Sequence, residues 1–399
     1  MPRDFYLYLA SRFASGSALG LMRSAVLWHV YSISHDAANL GLIGIVQFVP
    51  ALLLTLVGGA VADTYDRRRI INAAQGVFML AGFGLFELTR HGSVNLPLLY
   101  TGVLLVSCAS AFESPARMAL LPGLVSRESF PRAVTISSTN GALAIATGPA
   151  IGGFVIAHFG IAMAYATYLG LIAAAFVLML LLRRSSAEAG PARKVSLRAI
   201  AEGLRFVWTR PVVLGCMTLD MFAVIFGGAA ALLPVYANDI LKVGAKGYGI
   251  LSSSLETGAL AMALLLLLRP PVRRAGVTLL GTVALFGIAI MVFGVSRSFP
   301  LSVAAYMAAG MADQVSVVMR STAIQLSTPD ELRGRVSSVN MLFIGASNQL
   351  GAAESGFVAS WTTPTFAVVS GGAACLLVVI VVALWLPELR RYEIAPARL

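Results

Sequence analysis

Ala133–Leu182 reads AVTISSTNGALAIATGPAIGGFVIAHFGIAMAYATYLGLIAAAFVLMLLL, fifty residues without one Asp, Glu, Lys or Arg. A helix needs about 20 apolar residues to cross a bilayer, so this stretch is long enough for two crossings. Ala37–Ala62, Ala275–Ser296 and Ser355–Pro387 are charge-free as well. Across all 399 residues, 58% are hydrophobic and 12% charged, with a mean hydropathy of +0.84. A soluble domain carries about 25% charged residues to cover its surface. The chain reads as an all-α, polytopic membrane protein. Cutting the apolar runs at their turn signals predicts twelve spans, at about 5–32, 41–62, 70–90, 96–116, 132–157, 161–182, 211–236, 247–268, 276–295, 300–321, 335–360 and 364–386.

The net charge of +11 follows from this topology. Of the 29 Lys and Arg, Arg12 and Arg23 fall inside the first span. Arg90, Lys242, Lys246 and Arg297 fall in loops on one side, and the other 23 on the side of both termini. Basic residues stay in the cytoplasm, so both termini are expected there. The basic loops lack the interleaved aromatics of a nucleic-acid surface, so no nucleic-acid partner is expected. Trp28, Trp208, Trp361 and Trp385 sit near span ends, where an indole keeps its N–H wet. Cys108, Cys216 and Cys375 are isolated in apolar spans, without metal or redox spacing, so neither a metal nor a cofactor is expected. The N-terminal run reads as a retained first helix.

The chain repeats itself at half its length. Tyr31, Gly44, Arg68 and Arg69 recur 205 residues later as Tyr236, Gly249, Arg273 and Arg274. Arg117 recurs as Arg320, and Gly148, Gly153 and Phe154 as Gly351, Gly356 and Phe357, all at 203. Ser137-Ser138-Thr139-Asn140 recurs as Ser337-Ser338-Val339-Asn340 at 200. The ordered series predicts two six-helix bundles related by an axis along the membrane normal. Their expected limits are 1–182 and 211–386, with a linker at 183–210 and a cytoplasmic tail at 387–399. Within the linker, Ser185, Ser186, Gly190 and Pro191 read as flexible chain. Leu197, Ile200, Ala201, Leu204 and Trp208 then keep helical spacing opposite Arg198, Glu202 and Arg205. That pattern predicts an amphipathic helix on the inner leaflet or a solvated linker helix.

Two motifs carry chemistry. The second span ends Gly58-Gly59-Ala60-Val61-Ala62-Asp63-Thr64-Tyr65-Asp66-Arg67-Arg68-Arg69. Small residues let helices approach closely, and an acid followed by three arginines makes an ion-pair switch in a tight turn. A simple stop-transfer loop accounts for the arginines but not for Asp63 and its glycines. The fifth span holds Gly141, then Gly148-Pro149-Ala150-Ile151-Gly152-Gly153. Proline removes a backbone donor and kinks the helix, and the glycines permit close packing.

These motifs resemble the major facilitator superfamily, whose loop between helices 2 and 3 reads G-x-x-x-D-x-x-G-R-R/K. Gly59, Asp63, Arg67 and Arg68 fit it, and Asp66 stands where the family has its second glycine. In the same family G-x-x-x-G-P-x-x-G-G in helix 5 is the antiporter motif of exporters. Gly148, Pro149, Gly152 and Gly153 match it, and the first glycine falls on Ala144. Glu113-Ser114-Pro115-Ala116-Arg117, the run Leu124–Glu128, the run Thr328–Val336 and Leu386-Pro387-Glu388-Leu389-Arg390-Arg391 narrow the likeness to its bacterial drug-exporter branch, which includes siderophore export. The resemblance implies the major facilitator fold. It also implies a cytoplasmic gate of Gly59, Asp63, Asp66, Arg67, Arg68 and Arg117, with Asp63 set against Arg117 and the start of span 11. The arginine that many antiporters carry midway in helix 4 is absent, because Leu98–Phe112 holds no charge.

An ionisable group at mid-bilayer costs roughly 2.5–3.5 kcal/mol or more, which makes each one a functional candidate. Arg23, Asp220, Glu256 and Asp313 lie well inside spans 1, 7, 8 and 10. The family places helices 1, 4, 7 and 10 around the central cavity, so Arg23, Asp220 and Asp313 are expected to face one another across it and bind substrate or the coupling proton, with Glu256, one helix away, as the reserve proton carrier. The competing reading is a structural pair of Arg23 with Asp220 or Asp313. Glu113 and Arg117, one turn apart, read as a local helix pair. The expected function is proton-coupled efflux of a small amphipathic molecule in the bacterial inner membrane, by a monomer. A proton-coupled uptake symporter and a transport-inactive sensor are the alternatives. No G-x-S-x-G, H-E-x-x-H or G-x-x-x-x-G-K-[ST] occurs, which argues against an enzyme or an ATP-driven pump.

Overall fold

The computed structural model describes residues 1–126, 128–183, 197–268, 272–329 and 332–393, apart from the side chains of 56, 197–201, 203, 267 and 338. Arg127, the Ser185–Pro191 linker, Asp330, Glu331 and the last six residues of the tail lie outside the described residues. All regular structure among the described residues is helical. The first helices are α1 (Arg3–Ser34), α2 (Ala37–Thr64), α3 (Arg67–Arg90), α4 (Leu96–Leu124), α5 (Phe130–Phe159), α6 (Ile161–Leu180), α7 (Leu197–Thr209) and α8 (Pro211–Phe226). After a 3₁₀ turn follow α9 (Leu233–Val235), a π turn, α10 (Gly244–Leu267), α11 (Ala275–Val295), α12 (Phe299–Leu326), α13 (Arg333–Trp361), α14 (Pro364–Trp385) and α15 (Pro387–Arg390).

Among the described residues, ten helical segments are long and apolar enough to cross a membrane. Two of the twelve expected spans, α1 and α13, fall short although they have 32 and 29 residues. Arginines and amides dilute their apolarity: Arg12 and Arg23 in α1, and Arg333, Arg335, Asn340, Asn348 and Gln349 in α13.

Local chemistry sets the helix ends. Gly160, at φ +81°, closes α5 by donating to the Ile156 carbonyl and splits the fifty-residue apolar run in two. Side chains of Asn95 and Thr363 accept from the Leu98 and Phe366 amides and so start α4 and α14. The seventh span, expected at 211–236, is one apolar segment, Pro211–Ile240, whose helix is interrupted after Phe226 at Gly227-Gly228. A β-carbon at Gly227 would lie 2.4 Å from the Phe286 ring, and one at Gly228 2.7 Å from the Gly351 carbonyl oxygen. The chain thus bends where α11 and α13 crowd its backbone.

The chain forms two compact units. The first comprises Met1–His35, Ile45–Val195 and Val243–Ser253. In it α1 packs against α4, α5 and α6, and α3 against α4 and α6. Phe5, Tyr8, Ile71, Leu120 and Met179 form its core. Ser11 Oγ donates to the Ala175 carbonyl at 2.9 Å, pinning α1 to α6. Tyr248, from the start of α10, is buried in this unit, donates to the Ser24 carbonyl at 2.9 Å and packs on Trp28.

The second unit comprises Asp36–Gly44, Ser196–Lys242 and Ser254–Leu399. Here α11 packs on α12 and α14, and α8 on α12, α13 and α14, around Val213, Met217, Leu279 and Ile324. The linker helix α7 buries Val207 in this core, and its Glu202 pairs with Arg335 at the start of α13. It therefore docks on the unit through one face, while Leu204, Arg205 and Trp208 stay exposed.

Candidate functional site

The turn between α2 and α3 is built by its charges. Asp66 caps α3, accepting from the Arg68 amide at 2.9 Å. Arg67 donates to the Ala119 carbonyl at 3.0 Å, and Arg68 to the Leu180 carbonyl at 2.6 Å. Arg68 thereby satisfies the orphan carbonyl at the end of α6, and Arg67 ties the turn to α4. Asp63 is half-buried and makes no hydrogen bond or ion pair with a described residue. The close-packing glycine is Gly58, where a β-carbon would lie 2.2 Å from the Ala111 carbonyl oxygen. Gly59, the motif's nominal glycine, meets nothing within 4 Å.

Arg117 is occupied elsewhere. It is buried, and its Nε donates to Glu113 Oε1 at 2.6 Å, one turn back on α4. Ser15 Oγ of α1 donates to the same Glu113 oxygen at 3.2 Å. The spacing-based local pair is therefore present, but within the protein interior. The structure does not bring Asp63 onto Arg117.

The glycines of α5 serve two faces. A β-carbon at Gly148 would lie 2.5 Å from the Ser17 carbonyl oxygen of α1, and one at Gly152 2.7 Å from Ser24 Oγ. A β-carbon at Gly153 would lie 2.1 Å from the Cα of Gly249 in α10. Pro149 sits between these contacts, inside the helix. Gly141 makes room for a further group, since the Arg12 guanidinium lies over it. Arg12 donates to Ser137 Oγ at 3.1 Å and to the Tyr8 hydroxyl at 3.3 Å.

In the second unit Asp220 of α8 pairs with Arg320 of α12, and both are buried. The alternative pairing of Arg23 with an acid is thus not what the structure holds. Arg320 reaches Asp220 because α12 packs directly on α8 within the same unit. Arg23 is exposed and has no hydrogen bond or ion pair with a described residue. Asp220 and Asp313 line one small cavity with Ser316, Ala223, Val224, Val283 and Phe286. Glu256 of α10 lies within electrostatic range of Asp313.

Arg12 and Arg320 were not sequence candidates for the site. For Arg320 the signal was present: it is the repeat partner of Arg117, and an arginine kept in both halves inside apolar helices needs an acid nearby.

Apolar helices in two units, with acids and arginines facing each other inside them, define a multi-pass membrane transporter. The chain belongs to the transmembrane secretion effector family of the major facilitator superfamily, whose family model matches residues 5–398. It is 29% identical to the enterobactin exporter EntS of Escherichia coli O1:K1 / APEC, over 98% of this chain and 94% of that protein. Solved structures share the fold at much lower identity. A POT family transporter in complex with a thioalcohol-conjugated peptide superposes with a TM-score of 0.76 at 12% identity, covering 98% of this chain and 97% of the other. A bacterial homologue of the human lysosomal transporter Spinster, inward-facing and unoccupied, gives 0.70 at 14%, with the same coverage.

Proposed function

We propose that the protein is a secondary active exporter of the bacterial inner membrane. It exchanges inward proton flow for outward movement of a small amphipathic molecule, a drug-like compound or a siderophore. Twelve spans with both termini in the cytoplasm form two bundles, 1–182 and 211–386, joined by the linker 183–210. The bundles work as a monomer by alternating access, and no cofactor takes part. The observation that carries this reading is α5, where an exporter-type proline–glycine sequence packs by bare backbone on two different helices. The likeness to an enterobactin exporter over nearly the whole chain supports the outward direction and a siderophore-type cargo.

The energetics suffice. A membrane potential contributes ~2.3 kcal/mol per charge per 100 mV. Each pH unit adds about 1.4 kcal/mol per proton. One proton therefore sustains more than a tenfold substrate gradient. The test is a host lacking its own exporters, challenged with dyes, antibiotics and a siderophore it secretes. Expression should lower cellular retention of at least one compound, and a protonophore should abolish that effect. Increased accumulation would instead establish an uptake symporter.

A further inference from the structure

The repeat that relates the two halves also relates their buried charges. At the offset that maps Tyr31 on Tyr236, Ser15 falls on Asp220. At the offset that maps Arg117 on Arg320, Glu113 falls on Ser316. Each half therefore owns one arginine, one acid and one serine, but acid and serine have changed helices. All six side chains belong to residues that are 7% exposed or less.

The exchange alters what the ion pair connects. Glu113 and Arg117 stand four residues apart on α4, so their pair travels with that helix, and α1 reaches these two residues through neutral hydroxyls, Ser15 on the Glu113 carboxylate and Tyr8 on the Arg117 carbonyl. Asp220 and Arg320 stand on α8 and α12, so theirs is a charged link between two helices. Neutralising Glu113 weakens the Ser15–carboxylate contact between α1 and α4 and leaves the buried Arg117 without its partner, but it cuts no charge–charge link between helices. Neutralising Asp220 cuts α8 from α12 and leaves a buried guanidinium in need of an anion.

A second anion is at hand. Asp313 lies seven residues before Arg320, two turns along the same face of α12, and lines the cavity that Asp220 lines. Around Asp220, α12 brings Asp313, Ser316 and Arg320, and α11 brings Val283 and Phe286. On its own helix, Cys216 is one turn away and within electrostatic reach of Arg320. Glu256 of α10 is within electrostatic range of Asp313, and Cys375 of α14 lies behind Val283. From α13 and α15, Gly351 and Leu389 meet Val224 and Gly215 of α8.

We propose that the coupling proton acts by breaking the Asp220–Arg320 link, with Arg320 turning to Asp313, and that Glu113 takes no part. This rests on the proton-coupled reading above. Arg320 and Ser316 join the site as positioning residues. The proton binds the Asp220 carboxylate and leaves from it, so no bond other than O–H forms or breaks.

The decisive variant copies the first half into the second: Asp220→Ser together with Ser316→Glu. It keeps the charge, and it keeps an acid for Arg320, now four residues back on the same helix. In proteoliposomes loaded with a compound that the retention assay identifies, one pH unit should sustain about a tenfold gradient per proton in the wild type. The exchanged variant should sustain none, yet keep substrate counterflow. A wild type indifferent to pH would remove the proton reading itself. A wild type that responds, alongside an exchanged variant that responds equally, would overturn this assignment alone. If the exchanged variant does not reach the membrane, Asp220→Asn and Glu113→Gln decide. The first should lose the pH response and keep counterflow, and the second should keep both at reduced abundance. The reverse pattern would overturn the proposal.

Discussion

Helices α5 and α13 occupy matching places in the repeat, and their glycines perform matching tasks. Gly148 backs onto α1 and Gly153 onto α10, while Gly351 backs onto Val224 of α8 and Gly356 onto Gly41 of α2. A β-carbon at Gly356 would lie 2.4 Å from Gly41, much as one at Gly153 would crowd Gly249. Two positions differ. Pro149 is matched by Ala352, and Gly152 by the buried Ser355. Gly152 faces Ser24, whereas Ser355 faces Gly228 in the break after α8, one residue from the repeat position of Ser24, so the glycine lies on the other side of the contact. The glycines of the antiporter motif are therefore packing devices common to both halves. What sets α5 apart is Pro149.

The largest effect is expected at the backbone-to-backbone contacts. Gly153→Leu and Gly356→Leu should each cut transport more than about tenfold and lower membrane abundance, because overpacking costs roughly 1–3 kcal/mol or more. Quantitative immunoblots with the retention assay measure both, and a harmless substitution at either site would break the equivalence of the two helices. Next comes the reciprocal glycine–serine pair. Gly152→Ser should lower abundance, and adding Ser24→Gly should restore it, with a coupling of about 0.5–3 kcal/mol in a double-mutant cycle. Strict additivity would mean that the exchange is coincidental.

Pro149→Ala makes α5 resemble α13. Abundance should hold or rise, since a backbone hydrogen bond is regained, while transport falls severalfold. Unchanged transport would reduce the motif to packing alone. Asp63 has no acidic counterpart in the second half, where the repeat supplies Leu268. Asp63→Asn should raise labelling of cysteines placed at the inner mouth without altering abundance. Equal labelling would leave the α2–α3 turn a topological signal only. Gly59→Ala, with open space around it, should change neither abundance nor transport.

Much of this was legible in the chain. Apolar run lengths marked the helices, and the α5–α6 boundary fell at a glycine that the backbone places at positive φ. The Glu113–Arg117 pair was readable because it is local, four residues apart on one helix. The partner of Asp220 was not, since Arg320 lies 100 residues on and helical periodicity carries no information about which helix comes next to which. The same limit hid which of Gly58 and Gly59 faces α4. The break at Gly227-Gly228 was missed because glycines within apolar spans read equally well as packing positions.

Tyr248 and Gly249 complete a unit whose other members were nearly all made long before them. During synthesis the bare backbone at Gly153 waits about seventy residues beyond the end of the first six helices for the helix it packs on. At a translation rate of about 5–20 residues per second, that is a delay of roughly 4–14 seconds. For that interval the first six helices must stay soluble in lipid with a glycine-lined groove uncovered. A ribosome stalled between 183 and 243 would thus leave a nascent chain that is inserted yet unfinished, with Gly153 lacking the helix it packs on.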